Sequence, residues 1–380
     1  MDFEFPEDTL MLRDMLRRFV QKEARPLEMD YFNTGSLKPE QRTKLRRSIE
    51  QLGLWGYLAP EKFGGAGLDL VTSCLIEEEL GGTFIPLEMG SVPPPLYASA
   101  GDQVGKYFEP ALEGSRRAII AAREPGPSGV RPESWTTKAI PDGEAFLLNG
   151  HKSISMLPEP DDFLIVYALS SPQDETVEGI NSLGITAFLV ETNDPGLSIS
   201  KNGGGSLVLK NCKVSRDNIL GEPGKALQLS LDEATRSWIL IGARYIGIVE
   251  RLLEMAAEHA RDWISLGGAL AVRPAIQRMV AEIRVGVESI RWLVYHTAWL
   301  SDTQGIDKTK VQAAQVRLAS GEMLKRAVDY TTMIYNGPSS SPQIDLQRLV
   351  QSVVPMSALE LALENARAVV ANEELHLSQA

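Results

Sequence analysis

The chain has 380 residues, 43% of them hydrophobic and 23% charged, a composition typical of a globular protein of two or three domains. Its formal net charge of -12 at pH 7 argues against nucleic-acid binding, because contact with phosphates requires clustered Lys and Arg. Cys74 and Cys212 lie far apart with no metal-ligand spacing, which argues against a disulfide framework or a zinc site. The N-terminus has no signal-peptide pattern and no apolar run is long enough for a membrane helix. We therefore expect a cytoplasmic protein that does not bind membranes.

Residues 7–115 carry helical patterns. Apolar side chains recur at steps of three and four residues from Leu12 to Phe19, which predicts one buried helical face. Pro39 suits the first turn of a further helix, and Gly53 its end. A Gly-rich loop then leads to a helix over residues 72–80. We interpret residues 1–117 as an N-terminal helical domain.

Residues 118–221 change to a β pattern. Two apolar runs on either side of the turn Pro141-Asp142-Gly143-Glu144 predict a β-hairpin, and a second turn is expected at Asn149-Gly150. The apolar runs at 162–168 and 184–190 predict further strands. This middle β domain, a barrel or a sandwich, lies between helical segments. Its hairpin region is a natural place for a ligand pocket.

Residues 222–380 are helical again. Between Pro223 and Pro338 the only proline is Pro274, and long segments without proline suit long helices. Apolar residues advance by 4, 3, 4, 3 and 4 along Ile276, Val280, Ile283, Val287, Ile290 and Val294. That pattern is typical of a helix in a bundle. Helices over 227–264, 274–301, 308–335 and 343–375 predict a four-helix bundle, so the fold class is mostly α with a central β domain.

Several short motifs follow one another along nearly the whole chain. They are LGLWGYLAPEKFGGAGLDL with IEEELGG, AREPGPSG, LNGHKSIS, LKNCKVSRDNILGEPGKAL, LDEATRSWILIGARYIG and HARDWISLGGALAVRPAIQRMVAEI. In order and spacing they resemble the acyl-CoA dehydrogenase family. AREPGPSG is similar to the family's Thr-Glu-Pro-x-Ala-Gly-Ser loop, and LNGHKSIS to its Leu-Asn-Gly-x-Lys-x-Trp-Ile-Thr strand.

The resemblance implies FAD as cofactor and an acyl-CoA thioester as substrate. In the family a carboxylate removes the α-proton while the β-hydride goes to the flavin, and an electron-transfer flavoprotein is the usual electron acceptor. The implied base is Glu360, which lies 23 residues after Gly337 of the loop MIYNGPSSS, as in the family. Thr235 and Arg236 stand where some members place a Glu-Arg base, and we assign them to the substrate. Glu360 and Glu364 also have the spacing of an ordinary solvated helix face.

The resemblance also implies which residues contact the flavin. Those of the β domain are Ala122, Arg123, Gly129, Ile154 and Met156, and those supplied to the neighbouring subunit are Arg261, Ile264, Met333 and Gly337. Arg123, Ile154 and Met156 stand where the family has Thr, Trp and Thr. We therefore expect a flavin site that has lost several side-chain contacts.

Three functions remain open from the sequence. The first is an FAD-dependent acyl-CoA dehydrogenase that acts on a non-standard acyl group. The second is a non-catalytic subunit of a heteromeric acyl-CoA dehydrogenase that completes the FAD site of its partner. The third is a family member recruited for binding or tailoring chemistry. In each case we expect a dimer or tetramer that assembles through the C-terminal bundle.

Overall fold

A computed structural model of the chain describes residues 5–90, 92–126, 132–154, 157–170, 184–200, 205–265, 267–335 and 356–376. The chain forms two compact units. One contains residues 1–53, 68–88 and 234–379, so the N-terminal helices fold together with the C-terminal helices. The other contains residues 54–67 and 89–233 and holds the β-sheet. The domain borders near residues 117 and 221 stay predictions.

Helices account for most of the first unit. In chain order the α-helices of the described residues are α1 (Glu7–Phe19), α2 (Glu28–Thr34), α3 (Pro39–Gln51), α4 (Leu70–Leu80), α5 (Glu109–Glu113), α6 (Ala226–Asp262), α7 (Pro274–Gln304), α8 (Lys310–Ile334) and α9 (Met356–Glu374). The last four confirm the predicted C-terminal helices, although residues 336–355, where the fourth was expected to begin, lie outside the described residues. Among the described helices, none is long and apolar enough to cross a membrane.

Helix α4 joins the N-terminal helices of this unit to the C-terminal ones. Successive residues of a helix point about 100° apart, so neighbouring side chains can reach different helices. Three consecutive glutamates of α4 do this, each with an arginine of a different helix. Glu77 pairs with Arg244 of α6 at 2.6 Å, and Glu78 pairs with Arg291 of α7 at 3.0 Å. Glu79 pairs with Arg17 of α1 at 2.6 Å. These contacts explain the EEE sequence of α4 as a structural feature.

Glycines bring α4 and α6 into backbone contact. A Cβ added at Gly247 would lie 2.0 Å from the carbonyl oxygen of Glu78, and one added at Gly81 would lie 2.3 Å from the carbonyl oxygen of Arg244. Atoms this close cannot coexist, so both positions require the absence of a side chain. The start of α4 is held from α7, where the Asp302 carboxylate accepts the Leu70 N–H at 2.8 Å.

The second unit is built on one sheet. Its strands are β1 (Ala118–Ala121), β2 (Lys138–Asp142), β3 (Ala145–Ser153), β4 (Phe163–Leu169), β5 (Ile185–Glu191), β6 (Leu197–Ser200), β7 (Ser206–Ser215) and β8 (Ile219–Leu220). The strand order is β6-β7-β3-β2-β4-β5-β8, and β1 pairs with β4 in parallel. A two-stranded sheet, β9 (Ile264–Ser265) with β10 (Gly268–Ala269), follows α6 in the helical unit.

The predicted hairpin is confirmed as β2 and β3, which pair antiparallel around a turn at residues 143–144. The expected second turn at Asn149-Gly150 is wrong. Strand β3 runs on through these residues and carries a β-bulge there, because it pairs with β7 on its other edge. A Cβ at Gly150 would lie 2.4 Å from Thr137 Oγ1, so only a glycine lets Thr137 pack this close to the backbone of β3.

Both faces of the sheet are buried at its centre. Odd-numbered residues of β4, such as Phe163 and Tyr167, pack in one apolar cluster, and even-numbered residues, such as Leu164 and Val166, pack in another. Side chains alternate between faces along a strand, so an uninterrupted apolar run marks a strand covered on both sides. This confirms the strands expected at 162–168 and 184–190.

Candidate functional site

Hydrogen bonds join the two flavin-associated motifs of the sequence, AREPGPSG and LNGHKSIS, at one place in the β unit. The first follows β1, and the second forms the end of β3. The Ser153 N–H donates to the Arg123 carbonyl at 2.8 Å, and Lys152 Nζ donates to the Ala122 carbonyl at 2.8 Å. The segment after β1 is therefore held along the end of β3.

A buried ion pair fixes this junction. Lys152 Nζ lies 3.2 Å from Glu124 Oε1, and the Lys152 side chain is 0% exposed. Glu124 also accepts the backbone N–H groups of Thr136 and Thr137, each at 2.8 Å, and the Thr136 hydroxyl at 2.9 Å. The Lys152 ammonium stands 4.2 Å from the ring centre of Trp135, a favourable cation–π distance. Both charges are thus well satisfied, which a buried pair requires.

The surroundings shift the pKa of both groups. Burial alone would raise the pKa of Glu124, but hydrogen bonds from Thr137 and Thr136 and the charge of Lys152 lower it to about 2. Burial lowers the pKa of Lys152 to about 8, although Glu124 opposes the change. Both groups are charged at neutral pH. Both residues belong to the two motifs, but the spacing of the sequence does not mark them as an ion pair.

Around this pair, the predicted flavin residues of the β unit lie in different surroundings. Arg123 is exposed, and within the described part of the chain its guanidinium makes no hydrogen bond or ion pair, while Ala122 is half-buried. Ile154 is only 5% exposed and packs in the apolar core of the sheet, where a Cβ at Gly205 would lie 2.7 Å from its Cγ1. Gly129 and Met156 lie outside the described residues.

We expect one donor group at this junction, the exposed Arg123 guanidinium, to face the flavin. An isoalloxazine ring has acceptor atoms along its edge, and charged donors near them tune its electronics. Arg123 offers a guanidinium with five N–H donors that no described residue occupies. That Ala122, Arg123 and Ile154 contact FAD stays a prediction.

Three of the four residues expected to reach a neighbouring subunit lie at or just beyond the joined ends of α6 and α8. The His259 ring stacks on Tyr335 with ring centres 4.0 Å apart, which holds the two ends together. Burial lowers the pKa of His259. At these ends Ile264 is 68% exposed, Met333 is 56% exposed, and Arg261 is exposed without a partner in the described ranges. Gly337 lies outside the described residues.

The three residues assigned to base and substrate belong to the helical unit. Thr235 is buried in α6, 4% exposed, and the neighbouring Arg236 is half-buried. Burial raises the pKa of Asp302, a residue of α7, and the charge of Arg236 partly opposes this rise. The backbone of Glu360 is in α9, and its side chain lies outside what the structure describes. The roles of Glu360, Thr235 and Arg236 therefore stay predictions.

Comparison with known proteins identifies the family. The model of the acyl-CoA dehydrogenase N-terminal domain matches residues 6–101, and that of the acyl-CoA dehydrogenase C-terminal domain matches residues 229–373. Together the two models span more than half of the chain. The chain is 29% identical over 401 residues to the (R)-benzylsuccinyl-CoA dehydrogenase of Thauera aromatica, covering 99% of this chain and 97% of the relative.

Solved structures share the fold. The structure of glutaryl-CoA dehydrogenase in complex with glutaryl-CoA superposes with a TM-score of 0.83 at 23% identity, covering 100% of this chain and 98% of the other. The FAD complex of PigA gives a TM-score of 0.82 at 21% identity, covering 99% and 100%. At such identities these likenesses show the fold alone, whereas the two domain models show the family. The chain is a member of the acyl-CoA dehydrogenase family.

Proposed function

We propose that this protein is an FAD-dependent acyl-CoA dehydrogenase, an oxidoreductase that introduces an α,β-double bond into an acyl-CoA thioester. The observation that carries the proposal is the family match at both ends of the chain. The junction held by Glu124 and Lys152 supports it, because it joins the two motifs that are expected to face the flavin. The relative from Thauera aromatica acts on a bulky aryl-substituted acyl-CoA, which makes such thioesters the first substrates to assay.

Each residue has a defined task in this proposal. Glu360 takes the α-proton of the thioester, because removal of a weakly acidic proton requires a carboxylate base close to it. Arg236 contributes positive charge on the substrate side. Arg123 donates hydrogen bonds at the edge of the cofactor. Bound FAD supplies the acceptor for the β-hydride, and an electron-transfer flavoprotein is the proposed next electron acceptor.

A spectroscopic experiment tests the role of Glu360. Purified protein is mixed anaerobically with a panel of acyl-CoA thioesters, and the loss of flavin absorbance is followed. Glu360→Gln should retain flavin and lose the bleaching by about a hundredfold or more, since general base catalysis contributes on that scale. Glu364→Gln is the matched control, because Glu364 is an exposed residue one turn further along α9 that pairs with Arg367. Bleaching unchanged in Glu360→Gln excludes that residue as the base.

A second candidate function is a subunit that completes the FAD site of a different partner chain. It is favoured by Arg261, an exposed arginine with no partner among the described residues, and by the exposed apolar side chains of Ile264 and Met333 on the same helix ends. Arg261→Ala should then reduce the FAD content of the complex with a co-expressed partner, and leave the fold of this chain unchanged. One FAD per chain in the protein purified alone contradicts this candidate.

The outer face of α7 supports assembly through the C-terminal helices. Val285, Trp292 and Trp299 are 66%, 57% and 53% exposed and recur every seven residues, so they form one apolar stripe. Aromatic residues are enriched in the buried centre of protein interfaces. We propose that this stripe contributes to the oligomer. Light scattering on Trp292→Ser/Trp299→Ser should show a smaller assembly than the parent protein, and an unchanged mass contradicts the assignment.

A further inference from the structure

A small cavity lies in the helical unit, and none of the residues assigned to cofactor or substrate lines it. It has a volume of about 190 Å³, is partly open to solvent, and is bordered by α2, α3 and the segment at residues 86–88. Tyr31, Leu45, Ile49 and Pro86 contribute to an apolar wall. Leu45 and Ile49 are almost completely buried, at 4% and 1% exposed, so the floor of the cavity belongs to the packed core.

Positive charge stands at the edge of the cavity. Arg42 and Arg46 lie one turn apart on α3, and both line the cavity. Arg46 is hydrogen-bonded to Glu50 at 2.8 Å. Arg42 Nε lies 3.8 Å from Glu88 Oε1, which is too long for a hydrogen bond, and both side chains are more than half exposed. An exposed ion pair of this kind contributes little, so Glu88 is a weak competitor for the guanidinium.

We propose that this cavity binds a small amphipathic carboxylate. The apolar body of the ligand packs against Leu45 and Ile49, and its carboxylate replaces Glu88 on Arg42. Arginine favours this partner, because its planar fork binds a carboxylate through two parallel hydrogen bonds. The volume sets the size of the ligand. Typical ligand pockets measure roughly 300–1,000 Å³, so this smaller, partly open cavity suits a ligand smaller than a nucleotide or a CoA moiety.

Titration of the intact protein with hexanoate tests the proposal, with binding measured by saturation-transfer NMR and by calorimetry. Ligands of this size gain limited free energy, and we expect a Kd of about 0.1–5 mM. Arg42→Gln should weaken binding about tenfold or more, because it removes the charged fork. Glu88→Gln should tighten binding about threefold, because it removes the competing carboxylate. Hexanol, which has the same chain without the charge, should bind more weakly than hexanoate.

Arg47→Gln provides the matched control. Arg47 is an exposed arginine of the same helix that does not line the cavity, so its replacement should leave the Kd unchanged. Three results would overturn the proposal. The first is that hexanoate does not bind up to about 50 mM, which is tenfold above the weakest expected Kd. The second is that Arg42→Gln does not change the Kd. The third is that Arg47→Gln weakens binding as much as Arg42→Gln does. The second result would mean that hexanoate binds outside this cavity, for example in the site that binds the acyl group of the substrate.

Discussion

Replacing Lys152 by Met removes one member of the buried ion pair that holds the β1–β3 junction. The Met side chain fits the space of the lysine stem but cannot donate a hydrogen bond. The Ala122 carbonyl then loses its 2.8 Å donor, and Glu124 keeps three N–H or O–H donors but loses its counter-ion. The Trp135 ring also loses the ammonium 4.2 Å away. The change therefore leaves a buried charge uncompensated.

The expected loss is large for a single substitution. Removing one partner of a buried ion pair costs about 3–5 kcal/mol of unfolding free energy, whereas removing an exposed pair costs about 0–1 kcal/mol. Lys213 provides the matched control on the same sheet. It pairs with Asp142 at 3.0 Å, and its side chain is 65% exposed. Lys213→Met should therefore cost less than about 1 kcal/mol.

Urea unfolding, monitored by tryptophan fluorescence, gives the free energy of unfolding of both variants. The double variant Glu124→Gln/Lys152→Met should recover part of the loss, because it removes the uncompensated charge. If Lys152→Met and Lys213→Met unfold at the same urea concentration, Glu124 and Lys152 do not hold the junction. Glu124→Gln is measured alone as well. If the loss in the double variant equals the sum of the losses in Glu124→Gln and Lys152→Met, the two side chains act independently and the assignment as a pair is wrong.

Three further predictions concern packing and charge. Gly247→Ala should lower the free energy of unfolding by about 2 kcal/mol or more, because its Cβ would collide with the backbone of α4. In the control Gly105→Ala the nearest atom would lie 3.8 Å from the new Cβ, so thermal unfolding should show a loss under about 1 kcal/mol. Glu78→Ala should lower the free energy of unfolding by about 2 kcal/mol, because the Tyr295 hydroxyl loses its acceptor and Arg291 keeps only Glu250 and Glu288. Glu79→Ala should lower it by about 1 kcal/mol or less, since its partner Arg17 is half exposed. The folded-state pKa of Glu124 is lowered from 4.5 to about 2, so its stabilisation is present above pH 4.5 and is lost as the pH falls toward 2. The parent should lose about 3 kcal/mol more than Glu124→Gln over that range in acid unfolding, and parallel curves would contradict this.

The helices and the hairpin could be predicted from the sequence because their signals are local. The apolar period along α7, the single proline at Pro274 and the turn around Gly143 each act within a few residues of the chain. The prediction of a second turn at Asn149-Gly150 was wrong because of contacts that are distant in the sequence. Strand β3 pairs with both β2 and β7, and this pairing outweighs the turn preference of the Asn-Gly sequence.

The sequence predicts where the candidate site lies, but its contacts could not be predicted. Motif spacing predicts that the flavin lies beside Ala122 and Ile154, and this stays a prediction. It gave no sign that Glu124 reaches Lys152, because the two residues lie 28 positions apart in the sequence and are brought together by the pairing of β2 with β3. Nor did it indicate that Ile154 faces the apolar core. A side chain's direction depends on the register of its strand with neighbouring strands, and that register is a property of the folded sheet.

The most direct test of the proposed function is the flavin content and reactivity of the purified protein. The protein is expressed alone, its FAD is quantified per chain, and an aryl-substituted acyl-CoA is added without oxygen. We predict bound FAD that is bleached by the thioester, with the bleaching lost in Glu360→Gln while the FAD is retained. A protein that binds no FAD, even when excess FAD and a co-expressed partner chain are supplied, would contradict the proposal.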